Sequence, residues 1–426
     1  MKNNHNKNMI RRNQFGGVVA VVLMGGLTAL SCTGNAKKSL QNMKKEYEKG
    51  TFGYDLNYLS KKDSLIVLKS DDGKAQVIVS AKYQAKVFTS TANGEEGNSL
   101  GFVNYKFFDA GTVDEHMNGF GGENRLWLGP EGGQYSIYFK PGKDQVFDNW
   151  HTPKAIDIEE WKVDRATQEE TVLTKDMELE NYQGSILNIT VERKISLVTE
   201  AEMASKLGVT LPDGVSAVGY ATENKITNKN DFEWTSKTGT VCIWMLDMFN
   251  PSDSAVTVVP YNEGDESQLG TLATTDYFGE IPADRLKAEN GTLYLKTDGK
   301  FRSKLGMNAK RTKAIAGNYD PISKRLTVIT FDVDPSAVYL NQEWNPARNP
   351  LTGDALNAYN DGPLEDGSIM GPFLELESCS PAAFLKPGES LSHVHNVYHF
   401  VGDEAVLSPV CEKLLGVSIH QVTTIF

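Results

Sequence analysis

The sequence predicts an all-β protein of antiparallel sheets with one or two short helices. Runs in which apolar and polar residues alternate recur along the chain, a period typical of strands with one buried face. Glycine is frequent, with 38 among 426 residues, and it marks turns between those runs. Long segments with helical periodicity are scarce. The composition therefore favours packed sheets over helical layers.

The N-terminal segment is typical of a secretory signal. Residues 1–14 carry four basic side chains and no acidic one, and an apolar run follows from Phe15 to Leu30. This run is too short for a typical membrane-spanning helix. A small residue, Ser31, directly precedes Cys32, which resembles the lipobox of bacterial lipoproteins. We expect residues 1–31 to be a lipoprotein signal peptide and Cys32 to be lipidated, with plain secretion as the alternative.

The remaining chain is predicted to be a tether followed by one domain. Residues 32–50 are rich in lysine and poor in apolar side chains, as expected of a tether or a short helix. No acidic run follows Cys32, which favours an anchor that faces the periplasm over one at the cell surface. Residues 51–426 are predicted to form a single β domain.

The charge of the chain excludes some classes of partner. The formal net charge is −12, and residues 1–31 carry four positive charges and no negative one, so it becomes −16 without them. Such a charge argues against nucleic acid and against anionic membrane surfaces as partners.

Besides Cys32 the chain has Cys242, Cys379 and Cys411. We expect a free buried thiol at Cys242, whereas a disulfide between Cys379 and Cys411 stays open.

Several strands and one helix follow from local patterns. Residues 64–91 are predicted to form two or three strands, the first two joined by an Asp72-Gly73 turn. Residues 170–198 contain alternating runs typical of a meander. Thr199 to Leu207 is predicted to be a helix, because Thr199 and Glu202 have the spacing of a capping box and Gly208 can end it.

The segment Gly121–Gly142, GGENRLWLGPEGGQYSIYFKPG, is a candidate ligand-binding stretch. Arg125, Trp127 and Glu131 lie between pairs of glycines, which permit close backbone approach. A tryptophan beside an arginine offers an apolar platform with directional donors, which suits the apolar face and hydroxyl rim of a sugar. The alternative is a packed strand with Trp127 in the core. His151 lies in a polar and aromatic loop just beyond.

Two further stretches contribute candidate binding residues. A basic cluster at residues 300–311 includes Lys304 and Arg311, which could face an anionic substrate group or belong to a solvated edge strand. Residues 341–367 are predicted to be a long loop, and loops of that length are often functional. Because this loop contains Trp344, Tyr359 and Asn360, we interpret it as a wall of the site.

The stretch Gly371–Phe400, GPFLELESCSPAAFLKPGESLSHVHNVYHF, is predicted to present the central groups. Strand alternation places Glu375 and Glu377 on one face, and places His393, His395 and His399 on one face of the next strand. Glutamates and histidines on neighbouring strands form a candidate acid/base cluster. The alternative is the solvated face of an antiparallel sheet.

No cofactor or metal is predicted. The sequence contains no phosphate-binding loop, dinucleotide fingerprint, zinc spacing or serine-nucleophile elbow. His393 and His395 could ligate a metal, but a third ligand at a defined spacing is missing.

Three motifs carry a resemblance to known families. GGENRLWLGPEGG, the YNDGP loop and LELESCSPAAFLKPGES resemble a Bacteroidota lipoprotein family of unknown function with a galactose mutarotase-like fold, a β-supersandwich. LES followed by SPAAFLKPGES is also similar, over about thirty residues, to the segment before the last strand of aldose 1-epimerases. That resemblance implies that Glu377 is the general base. The chain lacks the His-Pro-Tyr-Phe motif that supplies the acid in aldose 1-epimerases.

Two functions follow as expectations. The first is a carbohydrate-active enzyme, epimerase-like or glycoside-cleaving, with Glu377 as base and with Glu375, His395 or His151 as acid. For glycoside hydrolysis Glu377 and Glu131 are the better pair, because Glu375 and Glu377 are neighbours on one strand. The second is a non-catalytic saccharide-binding or scaffold lipoprotein. The substrate-binding candidates are Arg125, Trp127, Trp344, Tyr359, Asn360, Lys304, Arg311 and His393.

Overall fold

Eighteen strands in three antiparallel sheets form the framework of residues 45–426, the part of the chain that the computed structural model describes. The predicted all-β class is confirmed. The predicted signal peptide, the predicted lipidation site Cys32 and residues 32–44 of the predicted tether lie outside the described residues.

The strands are listed here in chain order: β1 (Ile66–Lys69), β2 (Gln76–Ser80), β3 (Lys86–Thr91), β4 (Arg125–Gly129), β5 (Lys162–Ala166), β6 (Glu170–Glu180), β7 (Ile186–Val198), β8 (Ser216–Asn228), β9 (Cys242–Phe249), β10 (Val256–Pro260), β11 (Leu286–Glu289), β12 (Thr292–Lys296), β13 (Ser303–Met307), β14 (Ile315–Asp320), β15 (Arg325–Phe331), β16 (Leu356–Asn360), β17 (Leu374–Cys379) and β18 (Ser390–Val401).

Residues 45–426 also contain six short α-helices, which is more than the one or two expected: α1 (Phe52–Leu59), α2 (Tyr105–Ala110), α3 (Glu200–Leu207), α4 (Glu266–Leu269), α5 (Glu404–Leu415) and α6 (Ile419–Thr424). Two 3-10 turns span Phe147–Asn149 and Lys154–Ile156. The helix predicted after Thr199 is confirmed as α3, with the Thr199–Glu202 capping box formed and Gly208 in the left-handed region at φ 63°. None of the described helices is long and apolar enough to cross a membrane.

Two large sheets enclose the main core. One has ten strands in the order β11-β12-β10-β14-β15-β18-β8-β7-β6-β5, and the other has five in the order β13-β16-β17-β9-β4. Side chains from both sheets meet between them, such as Val191 and Tyr220 from the larger sheet and Ile243 and Leu376 from the smaller one. A third sheet, β1-β2-β3, contains the predicted hairpin, with Gly73 at φ 71° in its turn.

The outer face of the ten-stranded sheet is covered by helices. Leu407, Val410 and Cys411 on α5 pack in one cluster with Tyr398 and Phe400 of β18. Because Val397, Tyr398, His399 and Phe400 of β18 are all buried, the alternation of side chains in this part of the strand separates two buried environments instead of core and solvent.

One local expectation is corrected, and the alternative left open for the cysteines is decided. Residues 356–360, predicted to be loop, form β16, because Leu356 and Ala358 face the core while Asn357 and Tyr359 face the other side. Cys379 and Cys411 are not paired; together with Cys242 they are buried free thiols. The free thiol expected at Cys242 is confirmed.

Candidate functional site

A small cavity of about 120 Å³ opens on the face of the five-stranded sheet that points away from the ten-stranded sheet. Strand register explains which residues reach it. Glu377 on β17, the central strand, lies opposite Leu246 of β9, and Arg125 of β4 also lies opposite Leu246. On the other side, Glu375 lies opposite Tyr359, which lies opposite Lys304 of β13. Directly opposed residues share a face, so charged residues from three strands converge on the cavity.

Two buried ion pairs form the charged part of this cavity. Lys304 Nζ lies 2.9 Å from Glu377 Oε2, and Arg125 is paired with Glu375. Trp244 Nε1 donates a second hydrogen bond of 2.8 Å to Glu377 Oε2. The other carboxylate oxygen, Oε1, accepts no hydrogen bond from the described residues. Each buried charge thus has a partner, and Glu377 keeps one oxygen for a ligand.

Aromatic rings form the walls of the cavity. The Trp127 and Trp244 rings meet edge to face with centroids 5.7 Å apart, and the Trp150 and Trp344 rings stack with centroids 5.9 Å apart. The complete set of aromatic side chains that line the cavity is Trp127, Phe147, Trp150, Trp244, Phe278, Trp344, Tyr359 and Phe373. This arrangement offers several flat apolar surfaces around a small group of fixed charges.

Glu131 joins the cavity from the loop after β4. Burial, together with the charge of Glu377, raises the pKa of its carboxyl group to about 7, although Lys304, a hydrogen bond from Trp344 and the charge of Arg302 act in the opposite direction. Burial also raises the pKa of Glu375, although Arg125 acts in the opposite direction. Burial by itself would lower the pKa of Lys304. The nearby carboxylates of Glu377 and Glu131 outweigh this effect, so the pKa of Lys304 is raised. At neutral pH the cavity therefore holds a charged lysine and a carboxyl group, Glu131, that can exchange a proton.

Arg302 lies at the cavity just before β13. Its guanidinium carbon lies 3.8 Å from the centroid of the Phe278 ring, and its Nε donates to the Tyr359 hydroxyl oxygen at 3.2 Å. The Tyr359 hydroxyl donates in turn to Asp361 Oδ1 at 3.0 Å. Arg302 is thus fixed in orientation by a ring and by a chain of two hydrogen bonds.

The predicted acid/base cluster of glutamates and histidines is divided by the five-stranded sheet. Ser378, on the opposite face of β17 from Glu377, shares hydrogen bonds of 2.8 Å with both His393 and His395. His395 Nε2 also lies 2.6 Å from Asp247 Oδ2. Burial, with a smaller effect of His395, lowers the pKa of His393 to about 3. These histidines belong to a buried polar network between the sheets, and the structure does not place them at Glu377.

Three other predicted residues also lie away from the cavity. His151 stacks on His116 with ring centroids 4.8 Å apart, in a different surface cleft. Arg311 donates to backbone carbonyls of Asn262, Gly264 and Gly270 and so holds loops together. Asn360 lies opposite Leu374, and therefore on the core face of the sheet, where it donates to the Phe301 carbonyl.

Sequence reasoning brought together part of the cavity and missed the rest. The structure gathers the predicted Glu131, Glu375, Glu377, Arg125, Trp127, Lys304, Trp344 and Tyr359. It adds Trp244, which lies in a run so uniformly apolar that no alternation indicates a presented face. It also adds Arg302 and Phe278, which approach each other only in the folded chain. No group of three or more His, Cys, Asp or Glu residues within residues 45–426 is placed to hold a metal ion.

Solved structures of similar fold have low sequence identity to this chain. A galactose mutarotase-like protein from Lactobacillus casei is 13% identical, with a TM-score of 0.46, over 79% of this chain and 100% of that one. The galactose 1-epimerase from Lactobacillus acidophilus is 12% identical, with a TM-score of 0.40, over 79% of this chain and 94% of that one. A galactose mutarotase related enzyme from Lactobacillus acidophilus is 7% identical, with a TM-score of 0.44, over 80% and 99%.

No curated protein is detectably similar in sequence. A family profile, by contrast, covers nearly all of the described chain, from residue 50 to residue 426. The chain therefore belongs to this family of unknown function, DUF6786.

Proposed function

We propose that the protein binds a saccharide unit in the aromatic cavity of the five-stranded sheet. The observation that carries the proposal is the combination of tryptophan rings with fixed ion pairs in one small cavity. A sugar ring presents an apolar face, which packs on an aromatic ring, and hydroxyl groups, which hydrogen-bond to carboxylates and cations. The cavity of about 120 Å³ is well below the size of typical pockets for drug-sized ligands, so we expect a single ring to enter.

The same cavity supports an epimerase-like reaction at the anomeric carbon. In this proposal Glu377 takes the proton of the anomeric hydroxyl, the bond between C1 and the ring oxygen breaks, and a C1 carbonyl forms. Glu131 donates a proton to the ring oxygen as it leaves. Closure on the opposite face of the carbonyl then gives the other anomer and returns both protons. The pKa of about 7 for Glu131 matches a group that must give and regain a proton near neutral pH.

Binding without chemistry is the second candidate. It is favoured by the ion pair between Glu377 and Lys304, which occupies one oxygen of the proposed base. A saccharide-binding protein needs the aromatic walls and the fixed polar groups but no proton exchange at Glu131.

The experiment that separates these candidates is titration calorimetry of residues 46–426 with a panel of mono- and oligosaccharides, with NMR of the anomeric protons in the same samples. The variants are Glu377→Gln and Glu131→Gln, and the matched control is Glu178→Gln, an exposed residue of β6 outside this cavity. The reaction is supported if anomer exchange is fast in the wild type and in the control but is lost in both cavity variants. Binding with no exchange supports the binding candidate. No binding to any sugar refutes the proposed function.

The N-terminal sequence supports a further proposal about location. A basic start, an apolar run and Cys32 after Ser31 are typical of a lipoprotein signal, so we propose that the chain is anchored by a lipid at Cys32 and faces the periplasm, as in the Bacteroidota lipoproteins that it resembles. Labelling of the full chain with a radioactive fatty acid tests this. Label that persists in Cys32→Ala contradicts the proposal.

A further inference from the structure

We infer that the saccharide carries an anionic group and that Arg302 binds this group at the cavity. The inference rests on the proposed function and deepens it, because it names the class of sugar. It follows from the pairing of the cations in the cavity, from the way in which Arg302 is held, and from the chemistry of its unused donors.

Three cationic side chains line the cavity, and two of them have a carboxylate partner. Arg125 is paired with Glu375, and Lys304 with Glu377, all four being at most 7% exposed. Arg302 forms no ion pair with any residue of the described chain. The cavity thus contains one cation whose charge is not matched by a contacting carboxylate. An anionic ligand would supply that match.

Arg302 is held in a way that leaves its terminal nitrogens available. Phe278 stacks on the flat face of the guanidinium group, and the Tyr359 hydroxyl accepts from Nε. Asp361 accepts from the same hydroxyl, which turns the Tyr359 lone pairs towards Arg302. Asp361 is itself fixed, since its Oδ2 accepts from the Gly371 amide at 2.8 Å. Neither terminal nitrogen has a hydrogen-bond partner among residues 45–426.

The two terminal nitrogens of a guanidinium group present parallel donors that match two oxygens of one anionic group. A carboxylate, as in a uronic acid, fits this fork, and so do two oxygens of a sulfate or phosphate ester. Because Arg302 is half-buried and stacked on a ring, little orientational freedom is lost when the anion binds.

The test compares acidic and neutral sugars on the wild type. We would titrate the full-length protein with glucose and galactose, with the corresponding uronic acids, and with the 6-sulfates and 6-phosphates of the two neutral sugars. We expect one anionic series to bind about tenfold to a hundredfold more tightly than the neutral series, and the series that does so identifies the anion. That preference should weaken as salt rises from about 0.01 M to about 0.15 M, whereas neutral binding should not.

Variants assign the effect to Arg302. In Arg302→Gln the preference for the anion should be lost while binding of the neutral sugar persists, and in Arg302→Lys the preference should be reduced. The matched control is Lys300→Gln. Lys300 lies two residues before Arg302 and is paired with Asp253, so this variant removes the same charge from a different side chain. The inference would be overturned if neutral and anionic sugars bound the wild type equally, or if the preference survived in Arg302→Gln. In either case the proposed function would stand. If no sugar of any series binds, the proposed function fails and the inference with it.

Discussion

Glu377 and Lys304 meet at 2.9 Å although their strands, β17 and β13, are separated by β16. Both side chains rise from the same face of the sheet and reach across Asn357 and Tyr359 of the intervening strand. The pair is buried, with Glu377 only 1% exposed. This contact joins an edge strand of the sheet to its centre and places a charged pair at the base of the aromatic cavity.

Removal of the cation alone is expected to destabilise the protein. Lys304→Met leaves Glu377 buried without its ion-pair partner, which costs about 3–5 kcal/mol in the free energy of unfolding. The double variant Lys304→Met/Glu377→Gln should recover much of that loss, because no buried charge then lacks a partner. Urea unfolding followed by tryptophan fluorescence measures both. A single variant within about 1 kcal/mol of the wild type would show that the pair is hydrated in solution.

Glu131 is expected to make stability depend on pH. Its folded pKa of about 7 lies above the ordinary value of 4.5, so between these values the folded state binds more protons than the unfolded state. Stability that is present below pH 4.5 is therefore lost as the pH rises through about 7. Glu131→Gln, which cannot ionise, should gain about 1–2 kcal/mol over the wild type at pH 8 and little at pH 4.5. Unfolding curves at the two pH values check this, and a difference that does not change with pH would contradict it.

Trp344 is expected to contribute binding energy through its ring. Trp344→Ala removes a cavity wall that stacks on Trp150, and sugar affinity should fall about tenfold to a hundredfold. Trp344→Phe keeps an aromatic face and should lose much less. Calorimetric titration with the best sugar of the panel measures both variants. Equal losses in the two would mean that the indole N–H, and not the ring face, carries the contribution.

His395 is expected to matter for stability and not for ligand binding. His395→Leu removes the partner of Asp247, so a buried carboxylate loses a hydrogen bond, and the free energy of unfolding should fall by about 3 kcal/mol. Because His395 lies across the sheet from Glu377, sugar affinity of the folded variant should stay within about twofold of the wild type. Anomer exchange that is lost in a folded His395 variant would restore this residue as a catalytic acid.

Local chemistry made several elements predictable. The capping box at Thr199, the turn at Gly73 and the strand around Glu377 each depend on residues close together in the chain, so their patterns can be seen in the sequence. The helices α5 and α6 were not predicted. They cover the outer face of the ten-stranded sheet, and only that contact shows why the chain continues past β18.

The sequence by itself determined the β class and the shared face of Glu375 and Glu377, because strand alternation decides which side chains share a face, and it indicated part of the cavity lining. Only the tertiary structure decided which face meets which partner. His395 lies on the core side and Arg302 at the cavity because strands far apart in the chain pair in one register, and no local pattern specifies that register.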